Sequence, residues 1–232
     1  MPLSLAECKE RFIDILVKIR AVRFGTFMLS SGAISPYYID LRLIPSYPDL
    51  FVFTCRIYKT LIKRELGVNR FHYIASIPTA GLIYAAAIAH SLRKPLVYVR
   101  KEVKQHGRER LLEGALRPGS TVLVLDDLAT TGRSIYHIAM CVKSEGGLVR
   151  DAVVLIDRQE GARELLVRHR IQLHPLMTVK EIAEALFARG AISEEQYETI
   201  LNYVESVRKG VVRKAPTKAA KPKKKRKRKK KS

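Results

Sequence analysis

The stretch Val122-Leu-Val-Leu-Asp-Asp-Leu-Ala-Thr-Thr-Gly-Arg-Ser-Ile135 constrains this chain more than any other. Its four apolar residues, Val122 to Leu125, read as a buried strand that ends at Asp126 and Asp127. A turn of small hydroxyl residues with Gly132 follows. Ser134 then opens a helix whose apolar positions Ile135, Ile138, Ala139 and Val142 recur at three and four. Strand, polar turn and helix N-terminus together make an anion site, because turn N–H groups and the positive end of the helix converge on one point. Two carboxylates beside that point suit a ligand that carries hydroxyls as well as phosphate, such as a sugar phosphate. Taken alone, the acid pair also serves as a helix cap and Thr130-Thr131-Gly132 as a plain turn, since strand–turn–helix is the commonest α/β unit.

The flanking sequence repeats that alternation. Ser4-Leu-Ala-Glu7 is a capping box, and Leu5, Cys8, Phe12, Ile15 and Ile19 give an amphipathic first helix. Short alternating runs broken by Ser31-Gly32 and Ser35-Pro36 predict a small antiparallel hairpin between Arg23 and Arg42, apart from the main sheet. A second helix starts at Pro48-Asp49. Strands are predicted at 71–77, 95–100, 122–126, 151–157 and 171–176, with Thr79-Ala-Gly81 a second small turn leading into an alanine-rich helix. A further helix spans Gly161 to His169, and capping boxes at Thr178–Glu181 and Ser193–Gln196 open the last two. This order predicts an α/β fold, a mostly parallel sheet with helices on both faces. Within 232 residues it fits one domain at 1–207, divided into an N-terminal hood (1–45) and a core (46–207).

The formal charge of +21 is concentrated at one end. Arg208 to Ser232 holds 15 of the 43 Lys and Arg and no acid, leaving 28 basic against 22 acidic side chains elsewhere. Residues 208–232 lack apolar periodicity and repel themselves, so a disordered tail is expected. Such a run attracts nucleic acid by counterion release without reading its sequence, acts as a localisation signal, or only solvates. Cys8, Cys55 and Cys141 are scattered and odd in number, which suits small core thiols in a reducing, cytoplasmic setting. No apolar run is long enough to span a membrane.

Between two predicted strands lies Arg100-Lys-Glu-Val-Lys-Gln-His-Gly-Arg-Glu-Arg-Leu-Leu-Glu-Gly114, longer than the usual connection of about four to six residues. Its cations, with Gly107 and Gly114 as hinges, suit a reaction in which a negatively charged group departs. The bland alternative is a solvated charged loop.

The acid pair, threonine pair, Gly132 and Ser134 resemble the phosphoribosyl diphosphate (PRPP) signature of type I phosphoribosyltransferases, which identifies the donor sugar rather than the acceptor. Arg100 to Gly107 resembles the catalytic loop of the orotate phosphoribosyltransferases. Phe24-Gly25, Ser31-Gly32, Ser35-Pro36-Tyr37 and Tyr38-Ile-Asp-Leu-Arg42 resemble that family's orotate-side segment. The likeness continues through Glu113-Gly114, Pro118-Gly119 and Asp151 to Glu160. It covers about residues 10–185 and is similar to the transferase half of UMP synthases, with no decarboxylase half expected here.

That resemblance implies transfer from PRPP to orotate, giving orotidine 5′-phosphate and diphosphate. Asp126 and Asp127 would meet the ribose hydroxyls and steady the positive charge on the ring. Leu128, Ala129, Thr130, Thr131, Gly132, Arg133 and Ser134 would cradle the 5′-phosphate. Arg100, Lys101, Lys104 and His106 would bind diphosphate, with Lys104 and His106 brought down by loop closure as catalytic groups. Thr130 and Arg158 match the family's orotate contacts; otherwise Arg158 pairs with a surface acid. Mg²⁺ would be held mainly by PRPP and water rather than by a protein cage. A homodimer sharing the 101–113 loop is also implied. Two positions depart from the bacterial pattern, Ser30 and Ala80 standing where relatives carry lysine. The rival expectations are transfer to another base and a PRPP-sensing nucleic-acid binder.

Overall fold

The central strands are apolar on both faces, and that sets the layers of the computed structural model, which describes residues 3–29, 32–100 and 111–210. The chain runs through α1 (Leu5–Lys18), β1 (Val22–Met28), β2 (Ile34–Ile39), a 3₁₀ segment at Leu41–Ser46, α2 (Pro48–Glu65) and β3 (Tyr73–Ser76). It continues with α3 (Ala80–Leu92), β4 (Leu96–Val99), β5 (Leu112–Glu113), β6 (Thr121–Leu125), β7 (Leu128–Ala129) and α4 (Arg133–Ser144). The last elements are β8 (Leu148–Asp157), α5 (Ala162–Arg168), β9 (Gln172–Thr178), α6 (Val179–Ala188) and α7 (Glu194–Arg208).

β1 and β2 pair antiparallel in a sheet of their own, as the broken alternating runs predict. The main sheet runs β5-β4-β3-β6-β8, with β9 beyond β8, and every pairing except β4 with β5 is parallel. Period two then sorts the side chains. Val122, Val124, Ala152 and Val154 are buried with α4 and α5 on one face, and Leu123, Leu125, Val153 and Leu155 with the remaining helices on the other. Each such Val or Leu contributes about 1.5–3 kcal/mol by leaving water.

β9 and β7 both pair with the end of β8, so they occupy its opposite edges. β6 and β7 therefore lie end to end along one edge, with Asp126 and Asp127 at the joint. The ladder runs through that joint. The Asp126 N–H donates to the Val153 carbonyl (3.1 Å), and the Leu155 N–H to that of Asp127 (3.0 Å). From β3 the chain moves outward to β4, then returns to β6 on the other side. That reversal opens a crevice at the carboxyl ends of β3 and β6.

Four expectations need adjustment. The hood does not separate at residue 45: α1 buries Cys8, Phe12, Ile13 and Leu16 in the core shared with Leu123 and Leu155, so only the hairpin stands apart. Leu128-Ala129, read as part of a turn, is a short strand, and Leu112-Glu113 returns the long loop to the sheet edge. The helix expected to open at Ser134 begins one residue earlier, at Arg133, with Gly132 as its N-cap. The fourth strand starts at Leu148, where it pairs with Thr121. Ser30, most of the cationic loop and most of the tail lie outside the described residues. Among the described residues no helix is long and apolar enough to cross a membrane.

Candidate functional site

The crevice holds a cavity of about 340 Å³, walled by Ile77 to Ala80 after β3, by the acid pair and Thr130 after β6, and by Tyr38, Asp40 and Arg42 from the hairpin. A smaller hollow of about 120 Å³, lined by Thr130 to Ser134, adjoins it.

Asp126 is fixed from three directions. Its carboxylate accepts the Asp127 N–H (3.0 Å), and its carbonyl accepts the buried Tyr58 hydroxyl of α2 (2.8 Å). The first turn of α3 rides directly on it: a Cβ at Gly81 would stand 2.1 Å from Asp126 Oδ1 and 3.0 Å from its Cα. Asp127 is less enclosed. Desolvation pushes its carboxyl up; the hydrogen bond with Asp126, the Leu128 N–H and the Arg42 charge pull the other way.

Gly132 turns the chain with φ +75° and sits so close to α5 that a Cβ would meet Ala162 Cα at 3.1 Å. The first N–H groups of α4 have no intrahelical acceptor and border the hollow. A phosphate-sized anion matches such a place electrostatically.

The opposite wall is a side-chain assembly. Arg158 follows β8 and is fully buried, its Nε 2.7 Å from Glu160 Oε1 and its Nη2 donating to Ser35 Oγ at 3.0 Å. Its Cζ lies 4.4 Å from the centre of the Tyr37 ring. The Gln159 N–H donates to Asp157 Oδ1 (2.8 Å), making the tight turn that carries Arg158 and Glu160. Arg42 forks onto Asp40 at 2.8 and 3.0 Å beside Tyr38. The Arg42 hydrogen bonds hold the Asp40 carboxyl below its usual range.

Of the residues singled out in the sequence, Asp126, Asp127, Leu128, Thr130, Ser134 and Arg158 line the main cavity, and Ala129, Thr131, Gly132 and Arg133 line the hollow. Arg158 pairs with a buried acid, not a surface one. Arg100 is elsewhere: its guanidinium is on Glu113 (2.7 Å), across the base of the long loop. Lys101, Lys104 and His106 lie outside the described residues. Tyr37, Arg42 and Glu160 lie in stretches that carry the family resemblance, and Gly81 in a small turn, but the sequence assigns none of the four a role of its own. The nearest signal is the pair Arg158 and Glu160, opposite charges two residues apart after an apolar strand.

The phosphoribosyl transferase domain model matches residues 59–168. The orotate phosphoribosyltransferase of Cenarchaeum symbiosum is 46% identical over 172 residues, 74% of this chain and 86% of that protein. The crystal structure of orotate phosphoribosyltransferase from Aeropyrum pernix superposes with a TM-score of 0.64 at 36% identity, covering 75% of this chain and 98% of that one. Leishmania donovani UMP synthase gives 0.75 at 30% identity over 84% of this chain, which spans 42% of that longer protein.

Proposed function

The chain belongs to the orotate phosphoribosyltransferases, and we propose from that premise how its cleft performs the transfer. The reaction moves the phosphoribosyl group of PRPP to orotate, giving orotidine 5′-phosphate and diphosphate for UMP synthesis. One observation carries the assignment of roles. A single cavity has the acid pair and its phosphate-sized hollow on one side and a buried guanidinium on the other.

In this reading the hollow takes the 5′-phosphate on the N–H groups of Thr131 to Ser134, and Asp126 and Asp127 receive the ribose hydroxyls. The bond from the anomeric carbon to diphosphate breaks with its electron pair on the leaving oxygen, and a ring nitrogen of orotate attacks the same carbon, its N–H proton passing to the departing diphosphate. Positive charge grows on the sugar between these steps, where the carboxylates lie closest; positioning and electrostatics supply most of the acceleration. Arg158 receives the orotate carboxylate, for which a planar fork of donors is suited. Thr130 lies beside it on the cavity wall.

Magnesium enters with the donor. Among the described residues no group of three or more His, Cys, Asp or Glu could hold a metal ion. Asp126 and Asp127 are hard oxygen donors in the main cavity, suited to an ion that keeps several waters. Bound there, it would offset diphosphate charge. A homodimer is part of the proposal: Val52 of α2 and Ile83 of α3, next in sequence to Phe51 and Tyr84, which pack on each other, are exposed apolar side chains for a second copy to cover. So is a cytoplasmic setting, supported by the buried free thiols Cys8 and Cys141.

The test is PRPP turnover with orotate, uracil, hypoxanthine and adenine supplied separately. Orotate alone should be consumed. Turnover of another base with orotate inert would overturn the reading.

A further inference from the structure

A guanidinium is an effective partner for a planar carboxylate only if its plane and rotation are set beforehand. Around Arg158 both are constrained by Glu160, two residues on, and by Ser35 and Tyr37 of the hairpin, with α7 behind them. Glu160 meets Nε at 2.7 Å, each side chain only 2% exposed. Ser35, from the hairpin, accepts from Nη2 at 3.0 Å while its own hydroxyl donates to the Tyr37 carbonyl at 2.7 Å. The Tyr37 ring lies against the guanidinium, and Tyr203 of α7 meets that ring edge-on, 5.6 Å away at 89°. Burial pushes the Glu160 carboxyl up and the Arg158 charge draws it back down. A buried charge pair of this kind is a poor source of net stability compared with apolar packing, so its use here calls for a purpose other than holding the fold.

We propose that Glu160, with Ser35 and Tyr37, is a positioning residue for acceptor recognition. The frame turns Arg158 so that its cavity edge meets the carboxylate of the acceptor base in one orientation, and α7 closes the frame from behind through Tyr203. This rests on the reading of Arg158 as the acceptor's carboxylate partner. The frame ties acceptor choice to two elements remote from the donor residues, the hairpin and the C-terminal helix.

Orotidine 5′-phosphate and uridine 5′-phosphate differ only in the carboxylate, so calorimetry of the full chain with each product isolates its contribution without requiring turnover. The unsubstituted protein should prefer orotidine 5′-phosphate. In Glu160→Gln that preference should fall about tenfold, as expected for loss of a charge-assisted orientation, with uridine 5′-phosphate and PRPP binding unchanged within about twofold. Glu160→Asp, which keeps the charge, should recover part of the loss. A folded Glu160→Gln protein with undiminished preference overturns the frame. Should that variant fail to fold, Ser35→Ala decides: a drop of about threefold in preference supports the frame, and an unchanged one overturns it. If the unsubstituted protein turns over orotate yet ignores the carboxylate of its product, the role of Arg158 itself is wrong, an outcome distinct from failure of the frame.

Discussion

On the donor wall, nine consecutive residues from Asp126 to Ser134 bring two carboxylates, two threonines and a helix N-terminus to one place. The acceptor wall instead gathers Ser35 and Tyr37 from a hairpin, Arg158 and Glu160 from the end of β8, and Tyr203 from α7. The first takes its ligand-facing groups from one strand–turn–helix, braced by Tyr58, Gly81 and Ala162, whereas the second takes its groups from the hairpin, the sheet and the last helix. A site of the first kind keeps its ligand-facing groups in fixed order along the chain. One of the second kind couples its specificity to distant packing.

The main cavity holds, among the described residues, no free positive charge for a departing diphosphate, and Arg133, exposed and unpaired on the donor wall, lines the phosphate hollow instead. Among the described residues, the cations lining the main cavity are Arg42 and Arg158, and both are paired with acids. The charge for diphosphate then has to come from outside the main cavity, and the loop cations are the candidates. Lys104→Ala should therefore lower kcat by about 10²–10³, the size of losing one preorganised electrostatic contact, with the melting temperature unchanged. Turnover within about twofold of the parent would mean that the walls suffice.

Two glycine substitutions probe how rigid the donor wall is. Gly81→Ala forces a methyl group against Asp126 Oδ1 and backbone, so it should cost about 1–3 kcal/mol in denaturant unfolding and weaken PRPP binding. Gly132→Ala meets a positive φ and the Ala162 backbone at 3.1–3.2 Å, for about 1–2 kcal/mol. Because the acceptor wall is built separately, binding of orotidine 5′-phosphate relative to uridine 5′-phosphate should not change in either variant. A changed ratio would show the two walls to be one unit.

The same contrast explains what the sequence disclosed. The donor turn was legible because hydrophobic run, acids, hydroxyls and glycine are contiguous, and the parallel sheet because strands and helices alternate. The acceptor wall was legible only through the family resemblance, which names Arg158 and the hairpin; the pairing with Glu160 and the packing of Tyr37 and Tyr203 appear only once the hairpin and α7 bury Arg158 and Glu160. Leu128-Ala129 is too short to show period two, and its pairing depends on β8 running on past β6. Gly81 reads as the end of a tight turn; its requirement comes from a carboxylate that is 45 residues away in sequence. The apolar stripe of α1 was plain, but a stripe does not say which surface it covers, and it covers the core rather than the hairpin alone.

The smallest effects should differ in sign between the two sides of the cleft. Desolvation raises the Asp127 carboxyl above its ordinary value of 3.8, so the folded chain holds that proton at pH values where the unfolded chain has released it. The associated stability is present at low pH and is lost as pH rises through the raised value; at pH 7 the ionised group is a burden on the unliganded fold. Asp127→Asn should therefore raise the melting temperature, by about 2–4 °C for each kcal/mol recovered, at the expense of PRPP binding. Asp40 on the hairpin side behaves oppositely. Hydrogen bonds from Arg42 hold its carboxyl below 3.8, so its contribution is present above that value and disappears as pH falls through the depressed one. With the Arg42 side chain 54% exposed, Asp40→Asn should lower stability at pH 7 by less than about 1 kcal/mol. Thermal melts of both variants at pH 7 decide the matter. Shifts of the same sign would mean that the acid facing the sugar is no more burdened than the acid neutralised by its arginine, and the donor wall would lose its claim to carry a carboxylate kept for the ligand.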